Sequence, residues 1–545
     1  MRSIGIAAGA MFALALFVLF PVVLDPAGLL VGDPEIDVWN HAWGYFYVAE
    51  QLSEGSLLQT QLAGGPEGGV LWFIDTPGAL AALPLTWLFG PAVAYNAVLV
   101  VRVALAGLAA WFLSRELGAS DRGALVAGAA YATTPFLLCE LANGISEVCA
   151  TQWVCFTLWA AARATRTWAR RDFLLLGLFA GITAAVSFYQ GLAGALTVAA
   201  LFAWRLPVRW RREGRPPGLA LNLALVTGVA VALLLPVWLA FRGSLDTESA
   251  LIQRGMELDL ALLAHNAVDP RIYVVPGAFQ SVDLAGIYGE PFVHTGYLRW
   301  TVLLAAGLGV WTTRGFGWAA VAAWALVLGL GSFLWWNGEW VMANGRVLAL
   351  PFEWLRTALP QIAITHPLRL SLPAQALFCA LAGVGVSRLP RLVLPGAALL
   401  IVAEGLFGSA ARWPVPTSSA AVPSFYEGVP EGMVLDLPAE VGTGMATSRY
   451  FWFQTTHGRP IPYTPDVRMG SARDDALRDL GVEQGPGPKG GARPVGEALR
   501  SRYSLVVVHK ELERLAGIEG EYVRRLEPEL GPAEELEGAW IWRLR

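Results

Sequence analysis

The chain has 545 residues, of which 55% are hydrophobic and only 15% charged, and its mean hydropathy is +0.50. Soluble domains carry roughly a quarter charged residues, so water is not the main solvent of this chain. A formal net charge of -4, with the basic residues in short clusters between apolar runs, excludes nucleic acid as a partner. The four cysteines, Cys139, Cys149, Cys155 and Cys379, lie in or beside apolar segments and form neither a disulfide framework nor a CxxC metal site.

A bilayer core of about 30 Å takes roughly 17 to 25 apolar residues per helix. That ruler marks about eleven spans, near 4–24, 91–113, 123–139, 148–163, 173–189, 191–204, 218–241, 297–313, 316–335, 367–387 and 391–409. Two arginine-rich loops, one with Arg163, Arg166, Arg170 and Arg171 and one with Arg205, Arg209, Arg211, Arg212 and Arg215, belong in the cytoplasm by the positive-inside rule. Threading from them keeps the N-terminus inside and the first span as an anchor rather than a cleaved signal. Loops 25–90, 242–296 and 336–366 then lie outside, with the tail. The expected fold is mainly α: a polytopic transmembrane bundle over 1–410, followed by a small extracytoplasmic α/β domain over 411–545.

The first outer loop carries GDPEIDVWNHAWGYFYVAEQL over 32–52. Trp39, Trp43, Phe46 and Tyr47 recur at i, i+4, i+7 and i+8, an aromatic face suited to a helix lying in the membrane interface. Asp37 and His41 share another face. Asp33, Glu35 and Asp37 place three carboxylates at the mouth of a membrane cavity, where desolvation raises base strength. Asp37 also suits the N-cap of the helix. The turn CELANGISE over 139–147 adds Glu140, Asn143 and Glu147, as pocket groups or as solvated turn residues. Tyr189 and Gln190 mark a tight outer turn. NGR over 344–346 and THPLRL over 365–370 supply Arg346, His366 and Arg369, in which arginine is a natural phosphate partner and snorkelling the alternative.

In the tail, VLDLP (434–438), YSLVVVH (503–509) and WIWRL (540–544) read as strands and 510–526 as a charged helical stretch. GVEQGPGPKGGARP (481–494) reads as a mobile Gly/Pro-rich loop without a phosphate-loop signature. Tyr450 and His457 are read as exposed loop residues or as the lining of a groove.

GDPEID (32–37), the run YNAVLVVRVALAGLAAWFLSRELGASDRGALVAGAAYATTPFLL (95–138), THPLRLSLPAQALFCALAGVGVSRL (365–389), VLDLP and YFWFQTTHGRPI (450–461) together resemble the GT-C superfamily of polytopic glycosyltransferases. Within it the chain is similar to bacterial YfhO-like and mannosyltransferase-like membrane proteins. The resemblance implies an active site on the outer side of the bacterial plasma membrane, with a first-loop carboxylate, Asp33 or Asp37, in catalysis. It also implies a polyprenyl-phosphate sugar as donor and an extracytoplasmic acceptor. Glu35 between the two aspartates departs from an adjacent acidic pair and leaves the acting carboxylate open. A divalent cation held by the three carboxylates stays open as well. A lipid or polysaccharide transporter would place charges at span midpoints, where Arg102 is the main example; a non-catalytic envelope scaffold would share the same topology.

Overall fold

The computed structural model describes residues 2–214, 216, 218–252, 262–264, 266–277, 292–358, 364–439, 445–465 and 495–544. The segment 481–494, read above as a mobile loop, lies outside them.

Each expected span contains a helix, and the chain is an integral membrane protein. Five helices are long and apolar enough to cross a bilayer: Pro91–Glu116, Asp121–Asn143, Phe188–Glu213, Leu219–Leu245 and Pro367–Val386. Burial sorts them into layers. The apolar window of Pro367–Val386 is 94% buried and that of Asp121–Asn143 89%, whereas none of the Leu219–Leu245 window is; the first two form the centre and the last lies at the periphery. The centre is tight because small residues let backbones approach: a Cβ added at Gly385 would lie 1.9 Å from the Ala305 carbonyl of the neighbouring Trp300–Thr313 helix.

Asp121–Asn143 is interrupted where Thr134 caps a new helix, Pro135–Asn143, by accepting from the Leu137 N–H at 3.3 Å. Gly144, at φ +75°, ends that helix in the left-handed conformation glycine adopts without a Cβ penalty. One helix in the first long loop was not expected: Thr76–Phe89, apolar and 14 residues long, joined through Gly90 to Pro91–Glu116.

The tail folds as a four-stranded sheet. Met433–Leu437 runs parallel to Tyr503–His509, which pairs antiparallel with Ala539–Arg543, itself paired with Glu534–Leu536. The stretch read as helical near 510–526 is two helices, Lys510–Ala516 and Glu521–Leu530, the second running past 526. Tail and first loop are knitted together: Thr417–Ser419 pairs antiparallel with Leu29–Val31.

The aromatic face of Val38–Ser53 is the main correction to the sequence reading. Trp39, Trp43 and Tyr47 are buried and Phe46 is half-buried, and the helix packs on the tail helix Arg449–His457 through Trp43. Trp43 meets Phe451 edge-on at 5.0 Å and donates its indole N–H to Gln454 at 2.8 Å. An aromatic stripe specifies a covered face, and here protein covers it. Tyr450 and His457 are likewise buried within this tail helix, so neither is an exposed loop residue.

Candidate active site

The site is built on the turn after Pro135–Asn143. Its backbone receives the first loop: the Asp33 N–H donates to the Ala142 carbonyl at 2.8 Å and the Asp37 N–H to the Asn143 carbonyl at 3.2 Å. Gly32, at φ +132°, lets the loop pass so closely that an added Cβ would sit 2.9 Å from the Gly144 Cα. The Pro91–Glu116 helix fixes the same junction: Tyr95 donates to the Val31 and Gly144 carbonyls at 2.8 and 3.1 Å, and Asn96 to those of Pro26 and Leu29 at 2.9 and 2.7 Å. Glu140, in the last turn of Pro135–Asn143, and Glu147, in the turn that follows it, each anchor one charged group.

The first group surrounds His41. Its Nε2 lies 3.4 Å from the Asp37 carboxylate, and its Nδ1 lies 3.5 Å from Glu147 and 3.2 Å from the Ser146 hydroxyl. That hydroxyl donates to Asp75 at 2.6 Å. Asp75, fully buried, also accepts both Nη groups of Arg102 at 2.8 and 2.7 Å and the Tyr45 hydroxyl at 3.1 Å. Burial alone would raise the Asp75 carboxyl; the charge of the Arg102 guanidinium and the hydrogen bonds from Arg102 and Ser146 outweigh it and hold the group below the usual range. Burial likewise works against a charged His41, but Glu147 and Asp37 prevail and its pKa rises to about 9. Burial pushes the Glu147 carboxyl up, with His41 pulling against it.

The second group surrounds Glu140. Arg369 Nη2 lies 3.5 Å and His294 Nδ1 3.7 Å from its carboxylate. The His366 ring is 5.2 Å from that of His294, and its Nδ1 meets the Thr365 hydroxyl at 2.9 Å. Tyr189 bonds that hydroxyl at 2.8 Å and lies under the Arg369 guanidinium at 5.4 Å. Glu140, His294, His366 and Arg369 line an enclosed cavity of about 10 Å³, room for about one water. Asn143 joins the two groups, exchanging hydrogen bonds with the Val293 backbone at 2.9 and 3.0 Å.

The structure thus gathers Asp37, His41, Glu140, Glu147, His366 and Arg369 around one turn. Asp33 stands at its edge, where its carboxylate accepts the Glu35 N–H at 2.9 Å; Glu35 itself is exposed. Asp37 holds the N-cap position but caps no helix N–H; its carboxylate accepts from Asn40 at 2.9 Å instead. Gln190 braces the turn, donating to the Val148 carbonyl at 2.7 Å, so its amide is used on the scaffold. Arg346 is exposed on a two-residue strand of a hairpin and makes no hydrogen bond or ion pair with either group. Among the described residues no three His, Cys, Asp or Glu side chains come together as a metal-holding group.

The sequence reading missed Asp75, Ser146, Tyr45 and His294. Arg102 was the available signal: a guanidinium inside an apolar run requires a buried anion, and Asp-Thr-Pro at 75–77 is a helix start.

No family model matches the chain, and no curated protein matches it. Among solved structures it is similar to ArnT from Cupriavidus metallidurans in the apo state, with a TM-score of 0.53 at 13% identity over 98% of this chain and 97% of that one. It is also similar to the arabinofuranosyltransferase AftD from Mycobacteria, with a TM-score of 0.52 at 16% identity over 100% of this chain; the chain spans 41% of the length of AftD. ArnT bound to undecaprenyl phosphate aligns with a TM-score of 0.39 at 14% identity over 98% of this chain and 97% of that one. At such identities the likeness is one of fold, a fold the chain shares with ArnT and AftD.

Proposed function

We propose that the chain is a membrane glycosyltransferase that takes a sugar from a polyprenyl-phosphate donor and passes it, with inversion, to a hydroxyl of an extracytoplasmic acceptor. The observation that carries this reading is the turn 140–147, which holds a carboxylate and imidazole group at one end and a buried arginine at the other. In this reading the turn faces the outer side of the bacterial plasma membrane, and the arginine loops at 163–171 and 205–215 face the cytoplasm.

Asp37 is the proposed base. It is the half-buried first-loop carboxylate tied to the buried charges, whereas Asp33 is engaged in its own turn. The acceptor oxygen forms a bond to the anomeric carbon as the bond from that carbon to the phosphate oxygen breaks. The acceptor proton passes to Asp37, and polyprenyl phosphate leaves with the bonding electron pair. Arg369 meets the charge that develops on the phosphate. Its distance of 3.5 Å to Glu140 exceeds the roughly 2.7–2.9 Å of a full charge-assisted bond, so the guanidinium has bonding capacity left for a phosphate, whose entry requires the one-water cavity to widen. His294 and His366 line the same space. ArnT, whose fold the chain shares, is known with undecaprenyl phosphate bound, a ligand of the proposed chemistry.

The test is release of free polyprenyl phosphate from a panel of polyprenyl-phosphate sugars, with a crude acceptor extract, by wild type, Asp37→Asn, Asp33→Asn and Arg369→Gln. Each reaction runs both with chelator and with added divalent cation. Wild-type release that Asp37→Asn lowers by about 10²- to 10⁴-fold and Arg369→Gln by about 10²- to 10³-fold is expected. A folded wild type that releases nothing from any donor overturns the proposal and returns the transport and scaffold readings.

A further inference from the structure

We propose that His41 is a positioning residue, an imidazolium whose two nitrogens both face acceptors, which fixes the Asp37 and Glu147 carboxylates and is itself oriented by the buried Arg102–Asp75–Ser146 chain. The inference rests on the glycosyltransferase reading above, and it starts from hydrogen-bond accounting. Ser146 has one hydroxyl proton, and Asp75 takes it at 2.6 Å. Toward His41 Nδ1, at 3.2 Å, the Ser146 oxygen therefore offers only lone pairs. Nδ1 must be the donor. On the other side Nε2 faces the Asp37 carboxylate at 3.4 Å, which also only accepts. A ring that donates from both nitrogens is an imidazolium; the pKa of about 9 agrees with that count.

The direction of control is set by burial. Arg102 and Asp75 lock each other bidentately in the interior, where the geometry of an ion pair is hard to change. Ser146 inherits its hydroxyl direction from that pair, and His41 inherits its ring plane from Ser146 and Glu147. The groups facing His41 are Asp37 on its own helix, Ser146 and Glu147 on the turn, and Asp75 with its partners Arg102 and Tyr45. Loss of the His41 proton removes one donated bond and leaves the Asp37 and Glu147 carboxylates without a shared cation, so transfer acquires an alkaline limb.

The experiment is the pH profile of transfer between pH 6 and 10 for wild type, His41→Gln and Ser146→Ala, with thermal unfolding of each purified protein over the same range. The proposal expects wild-type kcat to fall as pH rises through about 9. His41→Gln should lower kcat by about 10- to 100-fold with little change in KM and abolish the limb, and Ser146→Ala should move the limb to lower pH. A wild-type profile flat to pH 10, or an unchanged limb in either variant, overturns it. Unfolding separates this inference from the reading beneath it. His41 has its pKa raised by folding, so its contribution is full below about 6.5 and is lost as pH rises through about 9. If no donor is turned over, a wild-type unfolding temperature that falls across that window, falls at lower pH in Ser146→Ala and is flat in His41→Gln supports the clamp alone; one that is flat in wild type sinks it. If His41→Gln does not fold, wild type and Ser146→Ala decide.

Discussion

His41 and His457 are both buried, both lie within reach of an aspartate, and they take opposite charge states. His41, between the first loop and the 140–147 turn, has two carboxylates and a hydroxyl oxygen directed at its nitrogens and is pushed up to about 9. His457, in the tail helix, accepts the Arg459 N–H on Nδ1 at 3.0 Å, and the Tyr426 ring stacks on it at 5.5 Å. Burial takes it down to about 4, and Asp436 opposes this only in part. The Asp436 charge is spent elsewhere, on the Tyr426 hydroxyl and on His509 Nε2 at 2.9 Å. Burial lowers the pKa of any imidazole; only convergent carboxylates reverse it. Carboxylates therefore converge on a histidine at the end of the helical bundle, whereas in the tail interior Asp436 is engaged by Tyr426 and His509 and leaves His457 without such a partner.

The comparison breaks most visibly at Asp75. Asp75→Asn leaves Arg102 buried without its anion, and such losses cost about 3–5 kcal/mol. The expected result is a large drop in thermal stability in detergent, partly recovered in Asp75→Asn combined with Arg102→Leu, which removes both charges. A stable Asp75→Asn protein would show that the pair is not the strut on which the His41 group stands.

A smaller effect tests the other half. Folding lowers the pKa of His457, so its contribution is full above about 6.5 and is lost as pH falls through about 4. Wild type should lose on the order of 3 kcal/mol across that window from this group, and His457→Phe, which keeps a ring in the stack, should remove that acid limb. The alkaline limb assigned to His41 should be untouched in the same variant. Unfolding curves against pH for both proteins check the two signs together.

What the sequence made legible follows the same division. Apolar length located the helices, since a run of about 20 apolar residues has few other uses. Thr76–Phe89 escaped because the whole of 25–90 reads as one outer loop in the sequence, and with it went Asp75, the anion Arg102 requires. Glu140, Glu147 and Arg369 were found from residue type and position near span ends, but their division into two groups depends on how one turn lies against the first loop. Arg346 was chosen on the same chemical ground and lies exposed on a hairpin, because residue type carries no distance. The aromatic period of Trp39, Trp43 and Tyr47 gave the face, and nothing local names its partner: Phe451 and Gln454 lie some 400 positions further along the chain.

That partnership gives the smallest predicted effect on stability and assigns the tail a role in the site. Gln454 accepts from Trp43 at 2.8 Å and donates to the Leu62 and Arg459 carbonyls at 2.6 and 2.8 Å, joining the Val38–Ser53 helix, the first loop and the tail at one amide. Gln454→Leu keeps the volume and removes all three bonds, and buried groups left unmatched cost about 1–3 kcal/mol. The chemical consequence should exceed the thermodynamic one. The same helix carries His41 and starts at Asp37, so a small change in its seating moves the proposed base, and misplacement by about 1 Å can cost about 10²-fold in rate. Transfer that falls much further than stability in Gln454→Leu would make the tail part of the scaffold that aims the first-loop carboxylate. Transfer that falls only in proportion to the folded fraction would confine the tail to holding the loop closed.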